Sequence, residues 1–237
     1  MKIWAHRGCS QRYPENTLLA FEKAMQINGL TGIELDIQLT KDGRMVVIHD
    51  EKVDRTTNGY GNVKDFTLEE IRRLKCRKKQ RIPMIEEVLD LLEPSMRNGL
   101  LLNIELKNSV IRYEGMEEKI TELIRERRLE EYVIYSTFYA HSAKKLRELV
   151  PDAEIGILDR KLSDCLYKMQ GGCGANAVHP FWRGIDIEKD KDKEIPVRAW
   201  FTGHLFPEKP TGNRLDLEAL EQQGITDVFL NEPEIYL

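Results

Sequence analysis

Little in this chain points to a membrane, a nucleic acid or an oxidising compartment. No apolar run approaches the ~18 residues of a membrane span. The N-terminus enters a structured pattern at once, without the basic and apolar regions of a signal peptide. Net charge is only −4 over 237 residues, which excludes a strong nucleic-acid footprint. The one dense basic run, RRLKCRKKQR at 72–81, reads as a solvated helix end or loop rather than an anionic-surface patch. Four cysteines, at 9, 76, 165 and 173, form no C-x-x-C pair and no zinc spacing. A reduced, cytoplasmic protein is the simplest inference. Internal repeats, low-complexity segments and linkers are also missing, so residues 1–237 read as a single domain.

What the chain does have is alternation. Short β-branched runs at 2–6, 32–38, 44–49, 101–106, 132–137, 154–158, 176–179, 196–201 and 226–230 are separated by amphipathic runs. The amphipathic runs lie at 15–28, 67–75, 83–93, 114–128, 139–149, about 160–170 and 215–223. Strands alternating with helices predict βαβ units and a parallel sheet. One pair breaks the rule. Only a few residues containing Asp42-Gly43 part 32–38 from 44–49, too few for a parallel crossover and typical of a hairpin. Removing 44–49 leaves eight strands, which predicts an α/β fold of the (β/α)8 TIM-barrel type.

The hairpin carries the first chemical signal. With Asp42 and Gly43 as the two turn residues, Asp36 faces His49. Side chains alternate along a strand, so Glu34, Asp36 and His49 are expected on one face, and Ile33, Leu35, Ile37, Val46 and Ile48 on the other. The acidic face lies toward the C-terminal end of a barrel strand, where such barrels place their active sites. Other strand ends add to it. The first ends in AHRG, with His6 and Arg7; the third barrel strand ends in NIELK, with Glu105 and Lys107 in the same phase. Glu34, Asp36 and Glu105 could converge on one divalent ion, and hard oxygen ligands without thiolates favour Mg²⁺ or Ca²⁺. Arg7 and Lys107 beside such an ion suit a phosphate. His6 and His49 are the residue types for proton transfer at neutral pH. Taken singly, each residue also has a structural reading: a core histidine, a surface ion pair, a loop-holding arginine.

The chain resembles the glycerophosphodiester phosphodiesterase family. The resemblance rests on AHRGCSQRYPENTLLAFEKA (5–24), GIELDIQLTKDGRMVVIHDEKVDRTTNG (32–59), IPMIEEVLDLL (82–92), NIELK (103–107) and a late NEP (231–233). It covers nearly the whole chain and is strongest over the first 110 residues. It implies a (β/α)8 barrel with a small insertion at about 50–81, after the second strand's hairpin. Carried over by position, it makes His6 and His49 an acid–base pair, Glu34, Asp36 and Glu105 metal ligands, and Arg7 and Lys107 phosphate-binding residues. Glu15, in the PENT stretch, is expected near the site, orienting Arg7 or a histidine or acting only as a helix-start acid. Trp200 either walls a glycerol pocket or packs in the barrel. His179 either lines the site or is structural, and Cys9 is read as structural. The C-terminal part departs from the family pattern. Trp200-Phe201-Thr202-Gly203 stands where Trp-Thr-Val-Asn is usual, Thr226-Asp227-Val228-Phe229-Leu230 where Asp-Gly-Ile-Ile-Thr is usual, and the loop at 202–214 is long.

The activity so implied is metal-dependent hydrolysis of small-molecule glycerophosphodiesters to glycerol 3-phosphate and an alcohol. The alternatives are a lysophospholipase D-type phospholipase on the same site and a non-catalytic barrel that binds a phosphate ligand. Two histidines beside three acids argue against the last, because binding alone needs no acid–base pair.

Overall fold

The computed structural model of the protein describes residues 1–185, 195–201 and 214–237. Eight parallel strands form the barrel: β1 (Lys2–His6), β2 (Gly32–Leu39), β4 (Leu101–Leu106), β5 (Val133–Thr137), β6 (Glu154–Asp159), β7 (Ala177–Pro180), β8 (Arg198–Trp200) and β9 (Asp227–Leu230). They are ordered β7-β6-β5-β4-β2-β1-β9-β8. β7 and β8 meet through isolated parallel bridges at Val178–Val197 and Phe181–Trp200. β3 (Met45–Val47) pairs antiparallel with β2 and stands off the ring. The expected eight-stranded parallel barrel, with one hairpin strand outside it, is therefore observed.

Strand alternation sorts the side chains. Ile3, Ala5, Ile33, Leu35, Ile37, Leu102, Ile104 and Leu106 point out to the helical layer and join one large core. That core takes Phe21 and Ala24 from α1 (Leu18–Met25), and Leu89 and Leu92 from α3 (Ile85–Met96). Ile120 and Ile124 come from α4 (Met116–Arg127), Leu146 from α5 (Ala140–Leu149) and Leu166 from α6 (Leu162–Gln170). α7 (Leu217–Gln222) packs Leu217 and Leu220 on its edge. Inside the barrel, Trp4, Ile134 and Phe229 form a small apolar plug. Gly32 makes room for it, because a Cβ there would lie 2.3 Å from the Trp4 ring. The inward positions nearer the C-terminal strand ends are polar, and these build the site.

The hairpin register differs from the expected one. Ile37 pairs with Val47, Gln38 with Val46 and Leu39 with Met45. The loop has three residues, Lys41, Asp42 and Gly43, with Gly43 at φ 71° and Thr40 N–H bonded to the Arg44 carbonyl (2.9 Å). A three-residue loop ending on a left-handed glycine is the next commonest hairpin after the two-residue turns. Asp36 consequently lies beside Ile48, whose N–H donates to its carbonyl (3.0 Å), and not opposite His49. The one-residue slip also changes faces. Met45 and Val47 join the main core, whereas Val46 and Ile48 turn to a second cluster with Val53, Val63, Ile71 and Ile82. This second cluster underlies the segment between β3 and α3, which carries the short α2 (Leu68–Ile71).

Three helices also differ from expectation at their ends, α2 stopping at Ile71 and not at 75. α1 starts at Leu18 with Thr17 as its cap, not at 15, because Asn16 takes φ 54° and its side chain serves the site. α3 runs past 93, through Pro94, so that Met96 is buried in the core. Most of the long loop expected at 202–214 lies outside the described residues.

Candidate active site

Parallel register sets the carboxylates side by side. His6 is level with Glu34, Glu34 with Asn103, and Asp36 with Glu105. Glu34, Asp36 and Glu105 are all buried. Each offers an oxygen such that the three lie within 4.8 Å of one another. Glu34 Oε1 and Asp36 Oδ1 are buried without a hydrogen-bond partner, which is costly unless something else meets them. A hard cation is what such oxygens fit, so this cluster could hold a metal ion.

Two cations flank the acids. Lys107 Nζ lies 2.8 Å from Glu105 Oε1 and 3.9 Å from Asp36 Oδ1. Arg7 Nε is 3.4 Å from Asp36 Oδ2, and Arg7 N–H donates to Glu34 Oε2 (3.0 Å). The resulting charge states are uneven. Burial, then the neighbouring Asp36, pushes Glu34 well above the usual carboxylate range. Burial lifts Glu105 to about 6 against the pull of Lys107. Burial also opposes ionisation of Asp36, but His49, Arg7, Lys107 and a bond from Asn16 outweigh it and hold it at about 2. The crowding of three acids against two cations is met by pushing Glu34 toward its neutral form, and an added divalent ion would favour its ionised form.

The two histidines lie on either side. His6 Nδ1 bonds Asn231 Oδ1 at 2.6 Å, and its Nε2 is 3.9 Å from Glu34 Oε2. Burial, with Arg7 adjacent, lowers its pKa to about 3, so the ring is neutral. His49 Nδ1 is 2.6 Å from Asp50 Oδ1, and its Nε2 is 3.1 Å from Lys107 Nζ. Although β3 ends at Val47, His49 is still delivered to the site. The Gln38 amide, buried on β2, reaches the carbonyls of Ile48, His49 and Asp50 (3.1, 3.0 and 2.6 Å). Tyr113 donates to Gln38 Oε1 (2.9 Å) and holds it.

These groups open into one cavity of about 300 Å³. His6, Arg7, Glu34, His49, Glu105 and Lys107 form its polar wall; Phe138, Leu158, Trp200 and Phe229 form the apolar wall opposite. Trp200 packs on Phe181 (centroids 4.5 Å apart) and edge-on to Phe138 (6.5 Å). His179 lines the same cavity, its ring held by Phe229 (5.4 Å) and Arg198 (3.4 Å). Glu15 does not reach the cavity wall. It sits behind Arg7 and accepts from Arg7 Nη1 (2.9 Å).

Sequence reasoning did not single out Asn16, Gln38, Asp50, Arg55 or Asn231 for the site. Asn16 Nδ2 donates to Asp36 Oδ2 (2.8 Å). Asn16, Asp50 and Asn231 each stand inside a motif already quoted, PENT, HD and NEP. A polar residue at a strand end or a left-handed turn was the available signal. Gln38 continues the inward phase of Glu34 and Asp36.

The first strand's exit depends on Gly8 at φ 78°, where a Cβ would meet the Ala20 backbone at 2.7 Å. Gly8→Ala should cost about 2–4 kcal/mol, measured as a lower urea midpoint. His179 gives a pH prediction. Burial and Arg198 push its pKa well below 6.5, so the unfolded chain takes up a proton that the native ring refuses. That contribution is intact above the unfolded pKa and erodes as the pH falls. Stability should drop by about 2 kcal/mol between pH 7 and 5 on this account. In His179→Asn the slope should flatten, and urea titrations at the two pH values measure it.

Fold and site together define a (β/α)8 barrel with a buried acidic cluster and flanking histidines at the C-terminal strand ends. The chain belongs to the glycerophosphoryl diester phosphodiesterase family, whose profile matches residues 6–161. It is 39% identical over 242 residues to a glycerophosphodiester phosphodiesterase of Caldanaerobacter subterraneus, covering 98% of this chain and 94% of that protein. It is 42% identical over 246 residues to one from Bacillus altitudinis, covering 98% and 95%. Among solved structures, the fold matches an Oleispira antarctica phosphodiesterase in complex with the product sn-glycerol-3-phosphate, with TM-score 0.80, 24% identity and coverage of 99% and 94%. It also matches a glycerophosphodiester phosphodiesterase from Agrobacterium tumefaciens, with TM-score 0.76, 24% identity and coverage of 100% and 98%.

Proposed function

We propose that the protein hydrolyses glycerophosphodiesters to glycerol 3-phosphate and an alcohol, as one domain spanning residues 1–237 with an insertion at about 50–81. The observation that carries this is that His6 and His49 line one cavity with Glu34, Glu105, Arg7 and Lys107, and that Asp36 is buried within ligand distance of the two other acids. Glu34, Asp36 and Glu105 would hold a divalent cation, Mg²⁺ or Ca²⁺. When bound, that ion supplies Lewis-acid stabilisation of a phosphoryl oxygen. Arg7 and Lys107 bind the phosphate and stabilise the charge that builds on it. One histidine removes the proton from the nucleophile and the other returns a proton to the departing alkoxide; the nucleophile is water, or the glycerol 2-hydroxyl, which forms a cyclic phosphate that water then opens to glycerol 3-phosphate. Asp50 and Asn231 fix the two rings through their Nδ1 atoms. Trp200, with Phe138, walls the glycerol or alcohol side, and Glu15 serves the phosphate through Arg7.

The cavity mouth favours a small polar alcohol over an acyl chain. Among the described lining residues, Val110 is an exposed apolar side chain, but the lining also includes the polar Glu51, Ser109 and Arg160. No helix among the described residues is long and apolar enough to cross a membrane. The four free cysteines support a reduced, cytoplasmic setting. The test is release of choline from glycerophosphocholine, leaving glycerol 3-phosphate, and from lysophosphatidylcholine, leaving lysophosphatidic acid, with and without chelator. Release from the first and not the second is expected. Release from the lysophospholipid alone would replace this reading with the lysophospholipase D-type one, and release from neither would reject both.

A further inference from the structure

Arg55 lies in the inserted segment and does not line the cavity, yet it is bonded to both sides of the site. Its Nη1 and Nη2 grip the Glu15 carboxylate (2.6 and 2.8 Å). Its Nε and Nη2 grip the Asp50 carboxylate (2.7 and 3.0 Å). Glu15 passes the contact to Arg7 through Nη1 (2.9 Å), and Asp50 passes it to His49 through Nδ1 (2.6 Å). One guanidinium thus stands midway in an unbroken chain from Arg7 to His49. We propose that Arg55 is a positioning residue that sets the His49 ring and the Arg7 guanidinium in register with each other, so that the inserted segment aligns the site. This rests on the function proposed above.

The chemistry favours this over a plain surface ion pair. A planar fork with two bidentate partners fixes direction as well as distance. Asp50 accepts from Arg55 and His49 on the same oxygen, so loss of the guanidinium frees that carboxylate to rotate away from the ring. Glu15 likewise shares Oε1 between Arg7 and Arg55. The segment that presents Arg55 is anchored independently of these pairs. Val53 N–H donates to Gly61 O (3.0 Å) and Thr57 N–H to Val53 O (3.1 Å). Val53 and Val63 sit in the second apolar cluster with Val46 and Ile48. The inserted segment therefore has its own means of staying folded, and the double fork is additional to them.

The experiment compares Arg55→Gln, Arg55→Lys, Arg55→Ala and Val63→Ala. Val63→Ala loosens the inserted segment's core without touching any ion pair. Arg55→Gln should lower kcat on the order of 100-fold, as expected for a misplaced reacting group, with KM changed much less. Arg55→Lys should not restore it, because an ammonium cannot bridge two carboxylates bidentately. Guanidinium added at millimolar concentration to Arg55→Ala should recover part of the rate. Val63→Ala should lower the Tm while keeping kcat near wild type. A readout independent of turnover is the ring-nitrogen NMR of His49. Arg55→Gln should shift its Nδ1 signal, and Val63→Ala should leave it in place. An unchanged His49 signal in Arg55→Gln, or equal kcat losses in Arg55→Gln and Val63→Ala, would overturn the proposal. A wild-type protein that releases no glycerol 3-phosphate, but whose His49 signal still follows Arg55, would overturn the function and leave the positioning intact.

Discussion

Exhaustive chelation is expected to bring phosphodiesterase activity down on the order of 10³-fold or more, and added Mg²⁺ or Ca²⁺ to restore it. Lewis-acid stabilisation is worth several kcal/mol, and each 1.4 kcal/mol is tenfold in rate. The acids themselves support the expectation. Glu34 Oε1 and Asp36 Oδ1 have no hydrogen-bond partner, and Glu34 is pushed toward its neutral form by burial and by Asp36. Arg7 favours the ionised form of that carboxylate but does not outweigh burial and Asp36. Asp36→Asn should therefore weaken cation binding in calorimetry while leaving the barrel folded. Full activity with no metal detected by elemental analysis would sink the assignment. So would an Asp36→Asn variant with undiminished cation affinity.

The histidines carry the second large effect. His6→Ala and His49→Ala should each lower kcat by at least about 100-fold, since general acid or base catalysis is worth about 10²–10⁴-fold. The two losses need not add, because both groups serve one mechanism. A p-nitrophenyl phosphodiester, whose alcohol departs without a proton, should rescue the variant that has lost the general acid and leave the other slow. The environments are unequal enough to make the comparison informative. His6 is paired with the amide of Asn231, and His49 with the carboxylate of Asp50. Near-wild-type rates for both variants on a natural glycerophosphodiester would mean that the pair is misidentified. Slow turnover of the activated ester by both would reject the division of labour.

Much of the site was legible because it is written in strand parity. Glu34 and Asp36 on β2, Glu105 on β4 with Lys107 just past its end, and His6 on β1 share the inward phase of neighbouring parallel strands. A two-residue period is a local property, and it survives folding unchanged. The Arg55 links could not be read in the same way. Glu15 and Arg55 are separated by 40 positions, and no periodic pattern relates them. Asn231 meets His6 across 225 positions, only because β9 closes against β1.

The hairpin shows where local reading stops. Asp42-Gly43 announces a turn, but a two-residue and a three-residue loop share that signal. The choice lies in Thr40, whose N–H closes on the Arg44 carbonyl and whose hydroxyl accepts from the Arg44 N–H. The apolar residues of β3 are suitable for either face, since Met45 and Val47 fill one core and Val46 and Ile48 another. From sequence alone, then, came the strand count, the barrel, the residue types of the acids, cations and histidines, and the phase of all of them but His49. Tertiary structure decided the hairpin register, the route by which Gln38 brings His49 to the site, and the pairing of Arg55 with two carboxylates. The physical reason is that periodicity and residue chemistry act within a few positions, whereas register and ion-pair partners are chosen by packing between segments distant in the chain.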